Sequence, residues 1–133
     1  MKKMSQKPII LFVCEHGAAK SIIAAAYFNK MAHEMGLDLQ ALARGTNPDD
    51  ELSQMTLTGL REDGLIPTVS TPQKISANEI KTARRLISFC ELPEEYRQKA
   101  VVELWEDVPL VSKNYEKARD AILSHLNHLM NNL

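Results

Sequence analysis

An unbroken apolar run, Ile9-Ile10-Leu11-Phe12-Val13, stops at Cys14 and gives way to small residues and then to a helical pattern. The run is rich in β-branched residues and does not alternate with polar ones. It suits a central strand buried on both faces. From Ala18 to Met35, the residues Ile22, Ile23, Ala26, Tyr27, Met31 and Met35 recur at helical spacing, and Gly36 is a natural stop. Strand, short loop and helix in that order open a βαβ unit, which commits the chain to a parallel sheet with covered faces.

The rest of the chain repeats the alternation. Leu39 to Ala43 reads as a second strand. Thr46-Asn47-Pro48-Asp49-Asp50 is loop chemistry that caps a helix from Leu52 to Asp63, and Gly64 ends it. Pro67 and Pro72 punctuate the connection. Ser76 with Glu79 three residues later reads as the capping box of a short helix. Arg85 to Cys90 is a strand, Pro93 begins a polar loop or short helix, and Val101 to Leu104 is an edge-like strand. The last helix starts at Ser112 or Asn114, with Tyr115, Ala118, Ile122, Leu126 and Leu129 on one apolar face. The fold class is therefore α/β, a three-layer sandwich of a four-stranded parallel sheet with helices on both faces.

Residues 1–133 read as a single domain, long enough for a real core and free of repeats or linkers. An apolar fraction of 44% and a charged fraction of 25% are ordinary for a soluble globular protein. A net charge of -1 offers no surface for nucleic acid. The N-terminus is basic (Lys2, Lys3, Lys7), but the apolar run behind it is too short for a signal sequence or a membrane span. Two cysteines with nothing secretory about the chain point to free thiols and a cytoplasmic location. No cofactor is implied. His33, His125 and His128 fall on helices without clustered ligand spacing, so no metal site is expected.

The chemistry concentrates in Cys14-Glu15-His16-Gly17-Ala18-Ala19-Lys20-Ser21. In a parallel sheet, ligands bind beyond the carboxyl ends of the strands, where this loop lies. A helix N-terminus offers backbone N–H groups and a favourable dipole to an oxyanion. The same field favours a thiolate, the nucleophilic form of cysteine. Lys20 adds positive charge, and Ser21 offers a hydroxyl that stabilises sulfur as a leaving group. The N–H groups from Glu15, His16, Gly17, Ala18 and Ala19 onward form the candidate oxyanion nest. Glu15 is expected to point its carboxylate away. His16 either donates to the anion or covers the loop at the surface. Arg44 ends the second strand beside the first, and its guanidinium is a candidate to reach over Cys14. The alternative is a surface arginine paired with Asp49 or Asp50.

This segment resembles the low-molecular-weight protein tyrosine phosphatase family and its thioredoxin-coupled arsenate reductase relatives. Their signature is an apolar strand, Cys, five residues, Arg, then Ser or Thr. Val13-Cys14, Ser21 and the small-residue helix start Ile23-Ala24-Ala25-Ala26 match it. So, in order, do Arg44-Gly45-Thr46, Leu57 to Gly64, Leu86-Ile87-Ser88-Phe89-Cys90, and Trp105-Glu106-Asp107-Val108-Pro109 with Tyr115, Ala118-Arg119-Asp120 and Ile122. The departures are specific. Lys20 stands at the motif arginine and replaces a planar fork of donors with a point charge. His16-Gly17 replaces a glycine-asparagine pair. Asp107 stands two residues before Pro109, and Leu110-Val111 can occupy the place of the family's Asp-Pro.

The resemblance implies Cys14 as nucleophile toward a phosphate ester or arsenate, and Asp107 as general acid, with Glu106 the alternative carboxylate. It also implies Cys90 as a redox partner of Cys14, against a plain buried strand cysteine. The chain has no third cysteine for a complete reductase relay. A two-cysteine version would need a low-molecular-weight thiol or a redoxin. The functions that follow are a phosphatase-like hydrolase, an arsenate reductase, and a catalytically weak oxyanion-binding or redox-sensing protein. Phosphate, arsenate or a phosphorylated substrate is the expected ligand, with no nucleic-acid or membrane partner.

Overall fold

The computed structural model describes residues 7–98 and 100–133. The basic lead at Lys2 and Lys3 lies outside the described residues. Strand β1 (Ile9–Cys14) is central in a four-stranded sheet of order β2-β1-β3-β4, with β2 (Gln40–Gly45), β3 (Arg85–Ser88) and β4 (Val102–Leu104). All three pairings are parallel, with Val13 opposite Arg44 on one side and Ser88 on the other. Side chains alternate across β1 as a pleated strand requires. Ile10, Phe12 and Cys14 enter the core beneath α1 (Lys20–Glu34) and α5 (Tyr115–Met130). Leu11 and Val13 enter a smaller core with Ile75, Ile80, Leu86 and Leu92, on the side of α3 (Ala77–Thr82). Two cores on opposite faces explain why the run in β1 is apolar without a break.

Helix α1 is buried along Ser21–Ala26 because it packs on the sheet and against α5 together. Its alanines let those neighbours approach closely. Met35 leaves the apolar stripe: it is the C-cap, 53% exposed, and Gly36 turns the chain with φ +69°. Helix α2 (Gln54–Glu62) is capped by Ser53, whose hydroxyl accepts from Thr56 N at 3.2 Å, rather than by the 46–50 loop. That loop is engaged elsewhere, as described below. The capping box of α3 is present as expected: Ser76 accepts from Glu79 N, and Glu79 accepts from Ser76 N. A short helix α4 (Glu94–Arg97) follows Pro93, and Asn114 caps α5.

β3 ends two residues earlier than its sequence suggests. The buried Ser88 hydroxyl accepts from Cys90 N and donates to Cys90 O, so the chain turns out of the ladder. β4 lies at the sheet edge. Behind it Trp105 fills the core against Phe12 and Phe89, and its indole N–H donates to Glu103 at 2.9 Å. Among the described residues, no helix is long and apolar enough to cross a membrane.

Candidate active site

The loop between β1 and α1 is held from outside by the segment after β2. Thr46 N donates to Cys14 O at 3.2 Å, Asn47 N to Glu15 O at 2.7 Å, Asp49 N to His16 O at 3.0 Å, and Ser53 N to Ala18 O at 2.9 Å. Among the described residues, the N–H groups from Glu15 to Ile22 donate to no protein group. The loop thus uses its carbonyls for the fold and keeps its N–H groups for a ligand, the arrangement of an anion nest. Helix α1 contributes in the same sense. It has no capping side chain and no acidic residue in its first turn, so its positive dipole end is uncompensated.

Two glycines make this geometry attainable. Gly17 has φ +61°, a conformation that costs a residue with a Cβ. Gly45 lies directly against it: a Cβ on Gly45 would stand 2.6 Å from Gly17 N. Gly45 also bonds through N and O to Gln73 and Ile75, which ties the loop's support to the next segment.

At the end of β1, Cys14 Sγ lies 3.0 Å from Ser21 Oγ, and both side chains are buried. A hydroxyl donor at that distance stabilises a thiolate and later a departing sulfur. Cys14 lines a cavity of about 330 Å³ together with Lys20, His16, Glu15, Asp49, Ser53 and Cys90. Phe89, Leu110 and Val111 form its apolar wall. Lys20 makes no ion pair or hydrogen bond among the described residues, so its charge is available to an anion.

The family model for low molecular weight phosphotyrosine protein phosphatase matches residues 9–103. The chain belongs to this family. The match runs from the first residue of β1, through the Cys14 loop, to β4. Among solved structures, YfkJ from Bacillus subtilis superposes with a TM-score of 0.82 at 18% identity, covering 98% of this chain and 96% of that one. A low molecular weight phosphotyrosine phosphatase from Vibrio cholerae O395 gives 0.77 at 17% identity, over 94% and 95% of the two chains. A thioredoxin-dependent arsenate reductase from Corynebacterium glutamicum gives 0.74 at 21% identity, over 96% of this chain and 62% of that one. These likenesses establish the family's fold.

Of the residues read from sequence, the structure brings Cys14, Glu15, His16, Gly17, Ala18, Ala19, Lys20, Ser21 and Cys90 to the carboxyl end of the sheet. Two others it places elsewhere. Arg44 does not reach over Cys14, nor does it pair with Asp49 or Asp50. The pleat turns it to the α3 face, where its Nε donates to Glu79 at 2.9 Å and its Nη1 to Ala43 O. Asp107 does not line the cavity. It accepts from His125 Nε2 at 2.7 Å on α5, where the imidazole stacks on Trp105 at 4.6 Å. That hydrogen bond holds the Asp107 carboxyl below its ordinary range, the wrong direction for a proton donor. Leu110, Val111 and Ser112 take the wall position instead.

Cys90 shares the cavity with Cys14, and both thiols are free. Burial pushes the Cys90 thiol up. The Ser88 hydroxyl opposes this, and negative charge at Cys14 and Glu15 adds to it. Asp49 and Ser53 are site residues the sequence reading passed over. Their only sequence signal was loop and cap chemistry, which is common to any helix entry.

Proposed function

We propose that this chain is a Cys14-dependent oxyanion enzyme that hydrolyses phosphomonoesters through a phosphocysteine. The observation that carries the reading is the Cys14–Ser21 contact at 3.0 Å beside a run of unspent N–H groups, with Cys14 and Lys20 lining one cavity. Cys14 sulfur would attack phosphorus while the nest takes the equatorial oxygens and Lys20 offsets their charge. Ser21 would then stabilise the sulfur as water displaces it. Membership in a phosphatase family supports the same chemistry.

Arsenate reduction is the second reading, favoured by Cys90 in the cavity of Cys14. A thiol-arsenate adduct on Cys14 would be resolved by Cys90, with arsenite leaving as a disulfide forms. A thiol or redoxin would restore the pair, as the coupling to thioredoxin in the Corynebacterium relative's name suggests.

Release of 4-nitrophenol from its phosphate ester tests the first reading. Cys14→Ser is expected to abolish turnover, by about a thousandfold or more, with its melting temperature nearly kept. Equal rates in wild type and variant would end the phosphatase reading. Arsenate-dependent consumption of a dithiol, lost in Cys90→Ala, would then establish the second.

A further inference from the structure

The phosphatase reading leaves a gap: a leaving oxygen needs a proton donor, and the cavity wall at Leu110, Val111 and Ser112 carries no titratable side chain. Asp107 is engaged with His125 outside the cavity. The cavity does hold another proton-transfer group. His16 Nδ1 lies 3.2 Å from Asp49 Oδ1 and 3.3 Å from Asn47 O. Asn47 O accepts from the ring, which places a proton on Nδ1, and the Asp49 carboxylate lies beside that nitrogen as an ion-pair partner; Nε2 makes no hydrogen bond of its own among the described residues. A carboxylate beside Nδ1 of an imidazole at the mouth of a nucleophile's cavity is one part of the logic of a catalytic triad. Both residues line the cavity of Cys14. Asp49 is itself fixed, since its backbone N–H donates to His16 O at 3.0 Å. Both side chains are about half exposed, and the main chain keeps the pair in register.

We propose that His16 is the acid–base residue of this site and that Asp49 is its positioning residue. This rests on the phosphatase reading above. In the first half-reaction the S–P bond forms, the P–O bond to the leaving group breaks, and the Nε2 proton of the imidazolium passes to the departing oxygen. In the second, water oxygen bonds to phosphorus, the P–S bond breaks, and the water proton returns to Nε2. Cys14 ends as it began, and no further reactant is needed. The ionisable groups around His16 are Asp49 on one side, Glu15 with Oε1 3.8 Å from Nε2, and Lys20, Cys14 and Cys90 along the same cavity.

The test compares kcat/KM for 4-nitrophenyl phosphate and phenyl phosphate in wild type, His16→Asn, Asp49→Asn and Asp107→Asn. Nitrophenolate leaves without a proton, and phenolate needs one. His16→Asn is expected to lose about a hundredfold on phenyl phosphate and less than tenfold on 4-nitrophenyl phosphate. Asp49→Asn is expected to show a smaller selective loss and a displaced pH profile. Equal losses on both esters in His16→Asn, or no loss, would overturn the proposal. So would a selective loss in Asp107→Asn in its place. If wild type and Cys14→Ser hydrolyse 4-nitrophenyl phosphate equally, the phosphatase reading fails and the proposal falls with it. Cys14-dependent turnover without leaving-group selectivity defeats the proposal alone.

Discussion

Helix α1 carries two concentrations of polar groups, and they are built on opposite principles. At its N-terminus, Lys20 is unpaired among the described residues and the adjoining N–H groups are unspent. Two turns along, about 10 Å away, Tyr27 joins a cluster in which every group is matched. The Tyr27 and Tyr115 hydroxyls donate to Asp63 Oδ2 at 2.6 and 2.9 Å, and Arg119 Nη1 donates to Oδ1 at 3.1 Å. Arg119 also reaches Asp120 and lies over the Tyr115 ring. One carboxylate at the end of α2 thus locks α1, α2 and α5. Satisfied groups contribute stability, and unsatisfied groups hold free energy that a ligand can release. The same helix serves both ends because its buried middle, Ile22 to Phe28, keeps them in fixed relation.

The largest expected effect comes from crowding the unspent N–H loop against its support. Gly45→Ala places a methyl 2.6 Å from Gly17 N and 2.9 Å from Gly17 Cα, so the nest and its support must separate. A loss of about 3 kcal/mol in urea unfolding, together with loss of phosphate binding by calorimetry, is the expected outcome. Retained binding would mean that the nest does not depend on that glycine contact.

Asp63→Ala should cost a similar amount, about 3 kcal/mol, since it leaves two tyrosine hydroxyls without their acceptor and Arg119 with Asp120 alone. Here turnover per folded molecule is expected to stay unchanged, which separates the two regions. The pH dependence carries a second signature. Burial raises the Asp63 carboxyl, but the Tyr27, Tyr115 and Arg119 hydrogen bonds outweigh it and hold it below the ordinary range. A depressed folded-state pKa gives stability that is present above the unfolded value near 4 and lost as pH falls through the folded value. Both tyrosines are raised, first by burial and then by the Asp63 bond, so their contribution fades as pH climbs past about 10. Acid and alkaline melts of Asp63→Ala should be flatter on both limbs.

Lys20→Arg sharpens the other side of the comparison. A planar fork in place of a point charge should raise kcat/KM on an aryl phosphate about tenfold, the value of one added charge-assisted hydrogen bond. An unchanged rate would show that the N–H groups already saturate the anion. The smallest effect is expected at Arg44. Arg44→Ala removes the ion pair with Glu79 and should cost about 1 kcal/mol, with phosphate affinity unaltered.

The differences between sequence and structure follow one line. The Ser76–Glu79 capping box, the Gly36 and Gly64 stops and the buried stripe of α5 depend on residues within a few positions of one another. They are legible because local geometry leaves little choice. Arg44 shows the contrary case. It sits at the correct strand end, but the period of a strand decides which face it serves, and Glu79 waits on the α3 face. Asp107 is similar: a loop carboxylate near the cavity was taken up by His125, eighteen positions away on α5. Gly45 entered the sequence reading only within the Arg44-Gly45-Thr46 resemblance and Asp49 only as loop chemistry or a partner for Arg44, yet both matter through contacts with the Cys14 loop, Gly45 at Gly17 and Asp49 at His16.

By itself the sequence determined that a thiol, a nest-forming loop and a helix start would lie together at the end of a central strand. Hydrophobic period and chain adjacency enforce that, since Cys14 and Ser21 are only seven residues apart. The tertiary structure alone decided which charges from elsewhere in the chain would face them. It sent Arg44 and Asp107 to partners of their own and brought Asp49 to His16. Ion pairs are chosen by distance in space after the layers have packed, and the pattern along a chain does not encode that distance.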